Sequence, residues 1–421
     1  MGTPVIDPET DIAYFYAKSY IPNYRIEGET GILNGVYYFY AVHLDTLDDV
    51  EGFPILVDGV PADNDKRKYF IGGTILNRPS LTQIGDVVYA GFGSICDQFN
   101  YTGTVLAVNV KEKKLVNNFV TQAGLDSAFT LDWTMFHAGG GAGIWQSGMG
   151  LSSDGKSLYF VVDNGDWPGN VTEQTAPVAG GTELDVLSEM AVRLEVGEDG
   201  FLEVVDHFQP FDFQNDEGMD LGSGGISLLD PEVFHGGDIE RMALVAGKSG
   251  KIYVLDADNL GGFRQGPNET DGVVQIIDSD GEGRQNGAVY GGLGSYPLDG
   301  GYVYSAGVGQ PIKAYKLITS EYGTPHFEVA GKSVEVSQDT LGNGIPTVTS
   351  FGDAEGSGIV WLTAPLAGLQ AWHAIPDEDG MLKTINLPRI DGSIKFSRPT
   401  FGDGRVYVFD SKGVLHCLGS N

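Results

Sequence analysis

Apolar and polar positions alternate along most of this chain with a period of two, and helical spacing is almost absent. Alternation in runs of about four to eight residues, closed by Gly, Asp or Asn, predicts short half-buried strands. One strand pattern recurs: a turn with Gly or Asp, an apolar residue, an aromatic, then a small or apolar tail. It is read at Asp11-Ile12-Ala13-Tyr14-Phe15, Asp86-Val87-Val88-Tyr89, Gly155-Lys156-Ser157-Leu158-Tyr159-Phe160 and Gly250-Lys251-Ile252-Tyr253-Val254. It returns at Gly301-Tyr302-Val303-Tyr304, Gly358-Ile359-Val360-Trp361 and Gly404-Arg405-Val406-Tyr407-Val408. The marker aromatics Tyr14, Tyr89, Tyr159, Tyr253, Tyr304, Trp361 and Tyr407 stand 75, 70, 94, 51, 57 and 46 residues apart.

Each marker strand follows a segment of small residues, often with Pro: Thr3-Pro4-Val5, Arg78-Pro79-Ser80, Ser147-Gly148-Met149, Ser223-Gly224-Gly225, Ser295-Tyr296-Pro297, Ile345-Pro346-Thr347 and Arg398-Pro399-Thr400. Small side chains suit an innermost strand beside a channel, and Pro is tolerated on a strand with one unpaired edge. A third, alternating strand is read at Val105-Leu106-Ala107-Val108, Ile312-Lys313-Ala314-Tyr315 and Leu369-Gln370-Ala371-Trp372. Seven units of three or four antiparallel strands predict an all-β, seven-bladed propeller over 1–421, one domain built by repetition. The blades are longer than usual, and the excess is expected in loops, chiefly within 160–225. The chain ends on a third strand, Val414-Leu415-His416-Cys417, so the last blade is expected either to stay three-stranded or to be completed by an N-terminal segment missing from this chain.

Composition supports this picture. Gly is 62 of 421 residues, about twice the usual share, which fits a protein of many tight turns. The net charge is −32, a field that repels nucleic acid and anionic membranes and leaves cations, neutral sugars and basic partners open. No apolar run is long enough to span a bilayer. The sequons at Asn100, Asn170 and Asn268, together with the acidity, predict a secreted glycoprotein, and Met1-Gly2-Thr3-Pro4 leads straight into strand-like sequence, so a mature or trimmed form is expected. Cys96 and Cys417 form neither a CxxC pair nor a metal spacing, and their disulfide state is left open. A monomer is expected.

Longer phrases are familiar. Gly143-Ile144-Trp145-Gln146-Ser147-Gly148, Gly250-Lys251-Ile252-Tyr253-Val254-Leu255-Asp256-Ala257-Asp258-Asn259-Leu260-Gly261-Gly262-Phe263, Asn77-Arg78-Pro79-Ser80-Leu81 and Phe401-Gly402-Asp403-Gly404-Arg405-Val406-Tyr407-Val408 resemble a family of secreted, mainly fungal proteins. That family belongs to the quinoprotein alcohol dehydrogenase-like (PQQ-like) propellers. The resemblance runs from Thr3 to Gly419. It implies a propeller and an extracellular setting more than a reaction. Members carry a further N-terminal segment, so the chain is expected to be N-terminally truncated. Enzymes of the superfamily stack a quinone on a Trp, cover it with a disulfide between adjacent cysteines and hold Ca²⁺ beside an Asp. Here no cysteines are adjacent, and none of Trp133, Trp145, Trp167, Trp361 and Trp372 sits in a quinone motif, so PQQ is not expected.

The candidate site is the ring of loops entering the innermost strands: Asn77, Arg78, Trp145, Gln146, Asp220, Ser223, Tyr290, Lys395 and Arg398. A cation or amide beside an aromatic suits a sugar, a uronate or another small polar anion. The competing reading pairs Arg78 and Arg398 with carboxylates between blades and packs Trp145. A secreted propeller binding an extracellular ligand, carbohydrate foremost, is the leading expectation. The alternatives are a carbohydrate lyase or hydrolase, for which His137 in the loop before Gly139-Gly140-Gly141 is a weak base candidate, and a quinone-dependent dehydrogenase. His235, before Gly236-Gly237, is a second loop histidine. Asp278-Ser279-Asp280-Gly281-Glu282 and Asp377-Glu378-Asp379-Gly380 resemble oxygen-rich Ca²⁺ loops without the EF-hand spacing, and acidic turns explain them as well.

Overall fold

The computed structural model describes residues 2–124, 127–135, 138–165, 186–213, 220–278, 286–320, 323–337 and 342–419. Nearly all of its regular structure is strand, in seven antiparallel sheets that are the blades of a β-propeller. Contacts part the chain into two compact units. Unit 1 is Met1–Gln146, Gly150–Phe213 and Gly262–Asp271, and unit 2 is Ser147–Met149, Gln214–Gly261 and Gly272–Asn421.

Unit 1 holds three blades. Blade 1 runs Val5–Asp7, Ile12–Tyr20, Gly35–His43 and Ile55–Val57 in simple up-and-down order. In blade 2, Ile75–Asn77 and Thr82–Ile84 both pair with Val87–Ser94, and Thr104–Asn109 and Lys114–Val120 follow. Arg78-Pro79-Ser80 is the break between the two inner pieces, where Pro79 has no N–H to give a ladder. Blade 3 runs Ser152–Ser153, Ser157–Val162, Met190–Val196 and Leu202–Gln209, with Gly262–Phe263 added in parallel at its edge. The turn into its second strand shows why the sequence ends strands where it does. Gly155 sits at φ +86°, a region side chains avoid, while Asp154 Oδ1 accepts the Lys156 and Ser157 N–H groups.

Unit 2 holds the other four. Blade 4 runs Ile226–Leu228, Met242–Ala246, Lys251–Asp256 and Gln275–Asp278, and blade 5 runs Gly294–Tyr296, Tyr302–Ser305, Pro311–Ser320 and Gly323–Val336. Blade 6 (Thr347–Thr349, Ile359–Ala364, Gly368–His373) and blade 7 (Thr400–Gly402, Arg405–Phe409, Leu415–Leu418) have three strands each. Both fit the expected three or four strands per blade.

Six markers lie on the second strand of their blades. Tyr253 does not: it lies on the third strand of blade 4 and pairs with Val245 of the second. The true second strand, Met-Ala-Leu-Val-Ala, carries no aromatic and so escapes an aromatic marker. Counted from Val245, the second-strand partner of Tyr253, the spacings of 94 and 51 become 86 (245 − 159) and 59 (304 − 245), so the displacement explains part of their unevenness. Tyr89, Tyr159, Tyr253 and Tyr304 are wholly buried, Tyr14 and Trp361 nearly so. Tyr407, in the three-stranded last blade, is only half-buried. The core is layered between sheets. In unit 1, Tyr16, Tyr37, Phe39, Phe70 and Phe92 pack edge-on or tilted, with ring centroids 4.9 to 6.3 Å apart where they touch. Each such ring contributes about 2–3 kcal/mol through burial.

Candidate functional site

The entry segments position the candidates in two groups, one in each unit. In unit 1, Asn77 closes the first inner strand of blade 2 and is buried. Its Oδ1 accepts the Gly2 N–H (2.8 Å) and its Nδ2 donates to the carbonyls of Gly91 (2.9 Å) and Pro79 (3.3 Å). Gln146 is equally committed, donating to Gly150 O and accepting the Val161 N–H. Both amides therefore hold backbone in place.

Arg78 lies with its guanidinium 5.2 Å from the centre of the Trp145 ring. Burial lowers its pKa, and the charges of Cys96 and Asp163 partly offset that effect. Trp145 is only 8% exposed. Gly93 and Gly143 let it in: a Cβ at either position would come within 2.7 to 3.1 Å of the indole. Within the same unit, buried Asp163 and Glu189 bring carboxylate oxygens within 4.8 Å of one another. They supply two of the roughly six to eight oxygens that Ca²⁺ takes.

The unit 2 group is more open. Tyr290 and Phe396 stack, with centroids 6.1 Å apart and planes 16° from parallel, and both are half-buried. Lys248 Nζ lies 5.4 Å from the centre of the Tyr290 ring and forms an ion pair with Asp220. Lys395 Nζ lies 5.1 Å from the centre of Phe396. Arg398, exposed over part of its length, donates from Nη2 to Met149 Sδ (2.8 Å). Gly342, at φ +87°, packs against Tyr290, where a Cβ would fall 2.6 Å from the side chain. Ser223 is buried and donates to Val289 O, so its hydroxyl serves the fold. Lys248, Phe396 and Met149 were not among the sequence candidates, although Phe396 and Met149 lie in or beside strand-entry segments. The alternation of Tyr290 and Phe396 with lysines, far apart in sequence, could not have shown their stacking.

The remaining candidates are dispersed or lie elsewhere. His137, Asn170 and Trp167 fall outside the described residues. His235 is exposed on a turn. Asn100 is buried, and its Nδ2 donates to Thr130 O (2.7 Å), which is the nitrogen a glycan would need. Asn268 is exposed in the turn Pro267–Glu269. In the second acidic loop, Asp377 Oδ1 accepts the Asp379 and Met381 N–H groups, closing a hairpin turn. Most of the first acidic loop, 279–285, falls outside the described residues. Cys96 and Cys417 are both exposed and unlinked.

The fold and these two groups define a β-propeller with cation–aromatic clusters at its strand entries. Among solved structures it is similar to a quinohemoprotein alcohol dehydrogenase from Comamonas testosteroni, at 16% identity over 97% of this chain and 69% of that one, with a TM-score of 0.51. It is also similar to a quinohemoprotein alcohol dehydrogenase from Pseudomonas putida (13%, 97% and 69%, 0.53) and to a europium-containing methanol dehydrogenase (11%, 99% and 81%, 0.51). At these identities the likeness shows the fold alone. No protein-family model matches the chain, and no curated protein matches it. No helix among the described residues is long and apolar enough to cross a membrane.

Three of the described indoles, Trp145, Trp361 and Trp372, are closed to a stacked quinone. A stacked cofactor needs one open indole face, but Trp145 is covered by Gly93, Gly143 and the Arg78 guanidinium. Trp372 is buried, and Trp361 is packed against Phe401 and donates to Thr349. Neither cysteine has a neighbour with which to form the covering disulfide.

Proposed function

We propose that this chain is a ligand-binding β-propeller that takes a small ring-shaped anion, an acidic sugar first among them, on the half-open surface of Tyr290 and Phe396. The observation that carries this reading is the stacked ring pair with Lys248 Nζ 5.4 Å from the centre of Tyr290 and Lys395 Nζ 5.1 Å from the centre of Phe396, and with Arg398 close by in sequence, in a chain of net charge −32. An aromatic face receives the apolar face of a sugar ring, and a nearby guanidinium or ammonium receives its carboxylate. The reading assigns binding and no reaction. The acidity and the exposed sequon at Asn268 support a secreted setting.

Calorimetric titration with glucuronate and galacturonate oligomers tests it. Saturable binding that falls about tenfold in Arg398→Gln and in Phe396→Ala is expected. The absence of binding to any uronate, or binding indifferent to both substitutions, would remove the reading. The likeness of the fold to quinohemoprotein dehydrogenases supports quinone-dependent oxidation as a second reading, and the covered Trp145 counts against it. Titration with pyrroloquinoline quinone and Ca²⁺, followed by quinone absorbance, separates the two.

A further inference from the structure

Arg398 is held differently from other arginines of this chain. Arg25, Arg67, Arg241 and Arg389 each form an ion pair with an aspartate: Asp58, Asp65, Asp258 and Asp391. Arg398 forms none among the described residues, and its Nη2 donates instead to the Met149 thioether at 2.8 Å. A guanidinium carries five N–H donors, and a thioether is a weak, uncharged acceptor, so the contact fixes a position and leaves the charge unanswered. Burial lowers the Arg398 pKa with no charge acting against it, whereas Cys96 and Asp163 partly offset the same effect at Arg78. In a chain of 57 acidic and 25 basic residues, a guanidinium kept from every described carboxylate is available to an acid from outside.

The sulfur that holds Arg398 is itself wedged between the two ring-bearing entries. Met149 is only 7% exposed. A Cβ at Gly292, two residues beyond Tyr290 and at φ +81°, would come 2.9 Å from Met149 Cγ and 3.0 Å from Sδ. A Cβ at Gly148 would meet the Phe396 carbonyl oxygen. Met149 therefore stands where the segments carrying Tyr290 and Phe396 converge, and the guanidinium bonded to it is fixed before a ligand arrives.

We infer that Met149 is a positioning residue, which holds Arg398 as the group that receives the carboxylate of a ligand on the Tyr290–Phe396 surface. This role rests on the reading of that surface as a site for an acidic ring, and it narrows the ligands to those whose acid can take the N–H groups that the sulfur leaves open.

Methyl ¹³C NMR of the methionines in the intact chain tests it, with the Met149 signal assigned through Met149→Leu. Galacturonate oligomers are expected to move that signal saturably, and galactose to leave it in place. Met149→Leu, a swap of near-equal volume, should keep the melting temperature near that of the parent and weaken uronate binding about fivefold. In an Arg398→Gln background the same swap should cost nothing further, because the guanidinium it positions is gone. The selenomethionine form keeps a soft acceptor and should bind like the parent. Unchanged affinity in Met149→Leu, or losses that multiply to about fiftyfold in the double variant, would overturn the role of Met149 while the ring surface stands. Should no uronate bind, the reading of the ring surface falls, and acetate decides the anchor by itself. A Met149 shift with acetate in the parent that is absent from Arg398→Gln upholds the anchor, and no shift with acetate overturns it.

Discussion

The two cation–aromatic groups have the same ingredients and opposite designs. In unit 1 the Trp145 indole is sealed between two glycines and a guanidinium, with both neighbouring amides spent on backbone. In unit 2 the Tyr290 and Phe396 rings stay half-open, and their cations lie beside the rings. A cation over an aromatic is thus a packing device in one place and an available surface in the other, and burial tells them apart. The sealed group resembles the competing sequence reading, in which Trp145 packs. The open group is the one to which a ligand has access.

Truncation should separate the two most sharply. Trp145→Ala empties a buried site and is expected to cost about 3–5 kcal/mol in urea unfolding, with uronate affinity unchanged. Phe396→Ala should cost about 1 kcal/mol or less and weaken uronate binding about tenfold. The comparison collapses if Trp145→Ala spares stability but abolishes binding.

Acidification offers a second contrast. His207, buried in blade 3 of unit 1, has its pKa lowered to about 4 by burial. Below its ordinary value of 6.5 the unfolded chain takes up a proton that the folded chain refuses. Stability is therefore lost as pH falls from about 6.5 to about 4, by on the order of 3 kcal/mol, and no further below that. In blade 7 of unit 2, Asp410 is held down to about 2, chiefly by the hydrogen bond from His416. Its contribution is present above its ordinary 3.8 and disappears only as pH falls toward 2. Hydrogen exchange read by mass spectrometry between pH 7 and pH 2.5 should show blade 3 loosening first. His207→Gln should flatten the earlier phase alone, and simultaneous loosening of both blades would contradict the assignment.

The propeller was legible because strand alternation and a buried aromatic on the second strand repeat in sequence, and both follow from burial on a pleated sheet. Blade 4 shows the limit, since Met242–Ala246 satisfies burial with aliphatic side chains alone. The site was legible only in part. Strand-entry position brought forward Arg78, Trp145, Tyr290 and Arg398, but whether an aromatic is open or sealed depends on partners such as Gly93 and Phe396 that are remote in sequence.

The smallest expected effect tests whether marker-like tyrosines are kept for their rings or their hydroxyls. Tyr304, in blade 5, donates its hydroxyl to Ala374 O at 2.8 Å. Tyr304→Phe leaves that carbonyl short of a donor and should cost about 1 kcal/mol. Tyr16, in blade 1, is as deeply buried, and its hydroxyl has no hydrogen-bond partner among the described residues. Burial pushes its pKa far up, a sign of how little solvation the oxygen retains. Its ring packs against Tyr37, Phe39 and Phe92, contacts that phenylalanine keeps. Tyr16→Phe should therefore leave the urea midpoint unchanged or raise it slightly, since the substitution removes a desolvated polar atom that gains nothing in return. A loss equal to that of Tyr304→Phe would mean that the Tyr16 hydroxyl is satisfied, most simply by an internal water, and that polar atoms as well as rings hold this layer of the core together.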